Sequence, residues 1–181
     1  MGLVQPADRA ACVSSWGRLV CLLNKAWVLK PWDEKKAEGK MKAMVQWQAD
    51  VCFLATSETG HQVLLDGPEE AGGQNKGPRP MELVLIGLGG CASYDVVTIL
   101  KKSRQKVSDC KLQLSAERAE ATPAVFTKIQ LHFVVQGEGL SEQHVARAVQ
   151  LSAEKYCSAS KMLEAGGVEI THSFEIEAAL I

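Results

Sequence analysis

The stretch beginning at Pro80 constrains this chain more than any other. Pro80 suits the first position of a helix, where its missing N–H costs nothing. From Met81 to about Gln105 the sequence then reads as one long helix, apolar over its first half and basic at its end, where Lys101, Lys102 and Arg104 complement the helix dipole. A helix that is apolar nearly all round must be covered on all sides, so this one belongs at the centre of whatever is built. Gly87, Gly89 and Gly90 each cost roughly 1 kcal/mol relative to alanine inside a helix. Three such costs in four positions predict the close approach of another backbone, expected to be a second helix.

The elements on either side predict an α+β layout. Weak alternation from Met41 to Gln48, a run over Val51–Ala55, a turn at Ser57–Gly60 and a return over His61–Asp66 read as an antiparallel meander. The glycine- and proline-rich segment from Gly67 to Arg79 reads as a loop. After the long helix, Cys110–Ser115 and Lys128–Val135 alternate as two strands joined by a long connection that Thr122-Pro123 breaks. Ser141 is placed to cap a helix running to about Tyr156. A further helix from Cys157 or Ser158 to Glu164 is stopped by Gly166-Gly167. Val168 to Glu177 alternates as a terminal strand.

Residues 1–40 read differently. Trp16, Trp27 and Trp32 fall there with Cys12 and Cys21, and the apolar stretch Leu19–Leu23 is cut short by Asn24-Lys25. The expected division is a poorly ordered extension over 1–40 and one domain over 41–181, with an amphipathic surface or targeting segment as the alternative for the extension. The formal net charge of −1 gives no basic excess to hold a phosphate backbone, which argues against nucleic acid. The longest apolar run, Leu83 to Leu88, is too short to span a bilayer. The six cysteines form no CxxC pair and no Cys/His cluster of zinc spacing, so neither a metal nor another cofactor is expected, and free thiols in a reducing cytoplasm are the natural reading.

Two of those cysteines have distinctive surroundings: Cys91 in Gly89-Gly90-Cys91, and Cys157 in Ser152-Ala153-Glu154-Lys155-Tyr156-Cys157-Ser158. Together with the Pro80-Met81-Glu82-Leu83 helix start and the Ile170–Phe174 strand, they resemble the OsmC/Ohr family, and within it the YhfA-like branch, over about Met41 to Leu180. The resemblance implies an intertwined homodimer, with antiparallel sheets wrapped around long central helices. It further implies thiol-dependent reduction of organic hydroperoxides, in which Cys91 matches the cysteine that attacks the peroxide and Cys157 the one that closes a disulfide with it. The implied partners are a second copy, a hydroperoxide and a thiol reductant.

The family's well-studied branches also place a glutamate directly after the helix-starting proline and an arginine from the N-terminal sheet against the thiolate. Here the first position is Met81. Glu82 lies nine residues before Cys91, about 180° round a helix and roughly 13 Å along it. No arginine falls between Met41 and Pro78. A free thiol is mostly protonated at neutral pH and needs a cation or a helix N-terminus to react. Arg79 and Lys161 are the candidates. Read from their residues alone, Cys91 and Cys157 are equally small buried groups that pack. His61, His132, His144 and His172 lie on strand or helix patterns with no motif around them. A non-catalytic dimer of the same fold, binding a small apolar ligand or sensing redox state, is the alternative function.

Overall fold

The computed structural model describes residues 41–178; the expectations for residues 1–40, Cys12 and Cys21 included, lie outside the described residues. The strands are β1 (Ala43–Ala49), β2 (Cys52–Ser57), β3 (Gln62–Leu65), β4 (Lys106–Arg118), β5 (Phe126–Glu138) and β6 (Glu169–Ala178). The helices are α1 (Pro80–Lys102), α2 (Glu142–Leu151) and α3 (Ser158–Ala165). One three-stranded sheet runs in the order β1-β2-β3 and another in the order β4-β5-β6. This is the expected α+β layout.

The described residues divide into two units, residues 41–44 with Thr56–His61, and Val45–Ala55 with residues 62–178. Among the described residues of the smaller unit, a tight turn joins Ser57 to His61, whose carbonyl accepts the Ser57 N–H at 2.9 Å. The Ser57 and Thr59 hydroxyls and His61 Nδ1 form a short polar chain, with steps of 2.9 and 3.0 Å.

In the larger unit the expected loop after β3 is ordered by one side chain. The Asp66 carboxylate accepts backbone N–H groups from Gly67 and Gln74, each at 2.9 Å, and from Lys76 at 3.0 Å. The Lys76 and Gln74 donors, the strongest influences, hold this carboxyl below its ordinary range. Gly77 has no alternative here, because a Cβ would run into the Leu64 carbonyl.

The loop delivers the chain to α1. The backbone N–H of Arg79 donates to Glu82 Oε2 at 2.9 Å, and the Arg79 carbonyl accepts from Leu83. Glu82 is thus committed to the first turn of the helix. The far end stops three residues earlier than the pattern suggests. Arg104 takes a left-handed φ of 60°, which an α-helix cannot continue through. Ser103 Oγ donates to the Leu100 carbonyl at 3.0 Å and satisfies part of the exposed terminus.

One side of α1 is core. Leu88, Ala92, Val96 and Leu100 are buried and pack with Ile129, Leu131, Phe133 and Val135 of β5 and Val145, Ala148 and Val149 of α2. Spacings of four carry these α1 residues along one face. Gly89 belongs to the same side, and what it approaches is not a second helix: a Cβ there would meet Leu114 Cδ1 of β4 at 2.9 Å. Among the described residues, Gly87 and Gly90, by contrast, have nothing within 4 Å of where a Cβ would stand. Around Gly90, at helical spacings, lie Leu83, Ile86, Gly87, Tyr94 and Val97. Ile86 is 57% exposed and Tyr94 71%.

β4 and β5 pair antiparallel, with Leu112 opposite Phe133 and Leu114 opposite Leu131. β6 returns on the other side of β5 and runs parallel to it, with Leu131 beside His172 and Phe133 beside Phe174. A parallel neighbour needs a crossover, and α2 and α3 lie within it. The expected single helix to Tyr156 is interrupted: after α2, residues Ser152–Tyr156 form one π turn.

Candidate functional site

The π turn decides where Cys157 points. Its N–H donates to the Ser152 carbonyl at 2.9 Å, five residues back, and its backbone then turns extended, with φ −70° and ψ 98°. The widened turn releases the chain from α2 and makes Cys157 the cap residue of α3. Isolated π turns of this kind are frequent at functional sites. Cys157 is fully buried.

Cys91 stands in the middle of α1, half-buried at the margin of the core face. One turn further along the same face is Asp95. The sulfurs of Cys91 and Cys157 and a carboxylate oxygen of Asp95 all lie within 4.8 Å of one another. Two cysteines from separate elements thus meet through the tertiary fold, with a carboxyl between helices at their side. Cys52 and Cys110, the remaining cysteines of the described residues, are free and half-buried on β2 and β4.

Burial sets the electrostatics on the Cys157 side of the cluster. Burial pushes the Cys157 thiol above its ordinary pKa. The Ser160 hydroxyl and N–H, one turn into α3, face that sulfur and pull the other way, while the Cys91 sulfur adds to the rise. Ser160 is itself fully buried and its Oγ has no full hydrogen-bond partner. Burial also raises the Asp95 carboxyl, and the neighbouring Ser152 hydroxyl offsets part of that. Ser152 Oγ donates to the Ala92 carbonyl at 3.3 Å. Asp95 Oδ2 is buried with no hydrogen-bond partner among the described residues.

Neither candidate cation serves this pair within the chain. Lys161 does follow Cys157 at helical spacing, and its N–H donates to the Cys157 carbonyl, but its ammonium is bonded to Glu164 at 2.9 Å. Arg79 caps the start of α1, twelve residues from Cys91 and about 18 Å away along the axis. Sequence reasoning misses Asp95. The available signal is a carboxylate four residues after a cysteine, inside an otherwise apolar helix where burying charge is costly.

An α+β frame that carries two thiols from separate helical elements to one point defines a class, and the comparisons with known proteins agree on it. The pattern described as "OsmC-like protein" matches residues 73–173, more than half of the chain. The chain belongs to the OsmC-like family. It is 52% identical to Protein YhfA of Escherichia coli K12 over 139 residues, covering 77% of this chain and all of that protein. A crystal structure of a hypothetical protein from Aquifex aeolicus VF5 superposes with a TM-score of 0.68 at 31% identity, covering 78% of this chain and 98% of that one. An organic hydroperoxide resistance protein OsmC from Legionella pneumophila superposes with a TM-score of 0.59 at 18% identity, covering 77% and 99%.

Proposed function

We propose that the protein reduces organic hydroperoxides with Cys91 and Cys157 as a redox pair, working as a homodimer. The observation that carries the proposal is the approach of the two sulfurs to within 4.8 Å. A disulfide needs about 2 Å between sulfurs, which a modest rotation or shift of Cys157 supplies. Exposure favours the assignment of roles. Cys91 is half-buried and accessible to a peroxide, whereas Cys157 is sealed and suited to condense with an oxidised neighbour. The Legionella pneumophila neighbour is named for organic hydroperoxide resistance, which supports this choice of substrate class. Free thiols on this plan fit a reducing compartment such as the cytoplasm.

The homodimer rests on the face around Gly90. Ile86 and Tyr94 are large, apolar over most of their surface and exposed, and they flank two glycines that leave room for another helix. By length and composition alone α1 would also suffice to cross a bilayer. The packing of its other side on β5 and α2 favours a central helix of an assembled protein instead.

The test is consumption of tert-butyl hydroperoxide and of a lipid hydroperoxide in the presence of a dithiol. Cys91→Ser should abolish it. With the dithiol removed, Cys157→Ser should consume one equivalent of peroxide and leave a sulfenic acid on Cys91 that a dimedone probe captures. If the unmodified protein consumes either peroxide no faster than Cys91→Ser, the enzymatic reading fails. A Cys91–Cys157 disulfide formed without turnover would then favour a redox sensor.

A further inference from the structure

We infer that Asp95 is the acid–base group of this cysteine pair, taking the proton from each thiol in turn and returning it to the departing oxygen. The inference rests on the peroxide-reducing reading and adds to it a source of thiolate that needs neither Arg79 nor Lys161.

The argument starts from position. Asp95 lies four residues after Cys91 on α1, so the two side chains project from the same face. Its carboxylate oxygen is within 4.8 Å of both sulfurs, a gap that one bridging water or a side-chain rotation closes. Among the described residues its Oδ2 is buried and has no hydrogen-bond partner. An orphaned carboxyl oxygen costs free energy at rest and is relieved when it carries a proton or accepts one from a thiol. The polar groups that face it and the sulfurs come from three elements: Cys91 from α1, Ser152 from the π turn, and Cys157 and Ser160 from the start of α3. Burial raises the carboxyl and so brings it closer to a thiol in proton affinity. That favours exchange of a proton between them.

The steps balance. The Cys91 thiol passes its proton to the Asp95 carboxylate, giving a thiolate beside a neutral carboxylic acid. The thiolate attacks the terminal oxygen of ROOH; an S–O bond forms and the O–O bond breaks. The leaving alkoxide takes the Asp95 proton and departs as ROH, leaving Cys91 as a sulfenic acid, oxidised by two electrons. Asp95, again a carboxylate, accepts the Cys157 proton. The Cys157 thiolate attacks Cys91 Sγ, the S–S bond forms and the S–O bond breaks, and the hydroxide released takes the Asp95 proton to become water. A dithiol reductant returns two electrons and two protons and restores both thiols. Asp95 ends each cycle as it began.

Because the carboxyl stays neutral while Cys91 is a thiolate, the pair carries one negative charge rather than two. Proton sharing of this kind is expected to show as two steps in thiolate reactivity.

The experiment follows iodoacetamide alkylation of Cys91, resolved by peptide mass spectrometry, from pH 4 to 10 in the full chain and in Asp95→Asn. The unmodified protein should show two ionisations, with a low-pH shoulder where the proton sits on Asp95; Asp95→Asn should show one, and the shoulder should vanish. Peroxide turnover measured alongside should fall by about 10²–10⁴-fold in Asp95→Asn, the range for a lost general acid–base group, with kcat affected more than KM. Asp95→Glu should keep the two-step profile and recover part of the rate. Identical single-step profiles in the two proteins overturn the inference, and so does unchanged turnover in Asp95→Asn. Alkylation needs no peroxide, so the role of Asp95 is tested even in a protein without peroxidase activity. Should Asp95→Asn fail to melt cooperatively, the unmodified profile decides alone: a single ionisation of Cys91 refutes the proton exchange.

Discussion

Gly90→Leu separates a chain that stands alone from one that shares its central helix with a second copy. Among the described residues of the chain nothing lies within 4 Å of the position a Cβ would take. Replacing a glycine inside a helix gains about 1 kcal/mol. A lone chain should therefore become more stable, with a melting temperature about 2–4 °C higher for a protein of this size. On the dimer reading the same leucine enters the contact between two helices. Overpacking costs about 1–3 kcal/mol per site, and symmetry places the substitution twice in each dimer. The propensity gain is common to monomer and dimer and cancels from the association equilibrium. The dissociation constant should then rise by about 30-fold to 10⁴-fold, at 1.4 kcal/mol per decade. Sedimentation velocity over a concentration series reads this directly, and calorimetry gives the companion melting temperature. An unmodified protein that sediments as a monomer would refute the reasoning. So would a Gly90→Leu dimer with unchanged affinity and a higher melting temperature. Gly89→Ala is the control: its new methyl presses on Leu114 of the same chain, so it should alter stability and leave association alone.

A protein beginning at Met41 should keep a single cooperative calorimetric transition within a few degrees of the full chain; loss of cooperativity would make residues 1–40 part of the core. Oxidation to a Cys91–Cys157 disulfide would close a loop of roughly 65 residues, worth about 4 kcal/mol in lost unfolded-state entropy, so the oxidised protein should melt well above the reduced one, a difference absent in Cys157→Ser. His172 is held below its ordinary pKa by burial, with Glu164 opposing the effect and Lys161 adding to it, and its Nε2 has no partner among the described residues. Below pH 6.5 the unfolded chain binds a proton there that the folded chain resists, so stability should fall with pH, at most by about 1.4 kcal/mol per unit. Denaturant titration should find that slope reduced in His172→Gln.

What could be read from the sequence was what short-range chemistry writes there. The strand alternation of β4, β5 and β6, the proline that opens α1 and the Gly166-Gly167 stop are local, and the structure follows them. The end of α1 moved because Arg104 adopts a left-handed turn that its residue type does not advertise. The π turn left no trace either, since it changes which carbonyl Cys157 bonds to and not which residues are present. The parallel pairing of β6 with β5 is a choice among distant partners that alternation cannot make. The two cysteines came from a resemblance. Their approach, and Asp95 between them, came from packing that brings α1 and the start of α3 together.

The crossover between β5 and β6 also makes the cysteine pair a gauge of the fold. Cys91 and Cys157 are separated by roughly 65 residues, and contacts that distant in sequence carry a loop-closure entropy that local helix formation does not offset. They come together only where α1 packs against the π turn and the start of α3. Loosening the crossover helices from α1 would part the two sulfurs without unwinding either helix. The ease with which the pair closes therefore measures how closely the crossover is docked on α1.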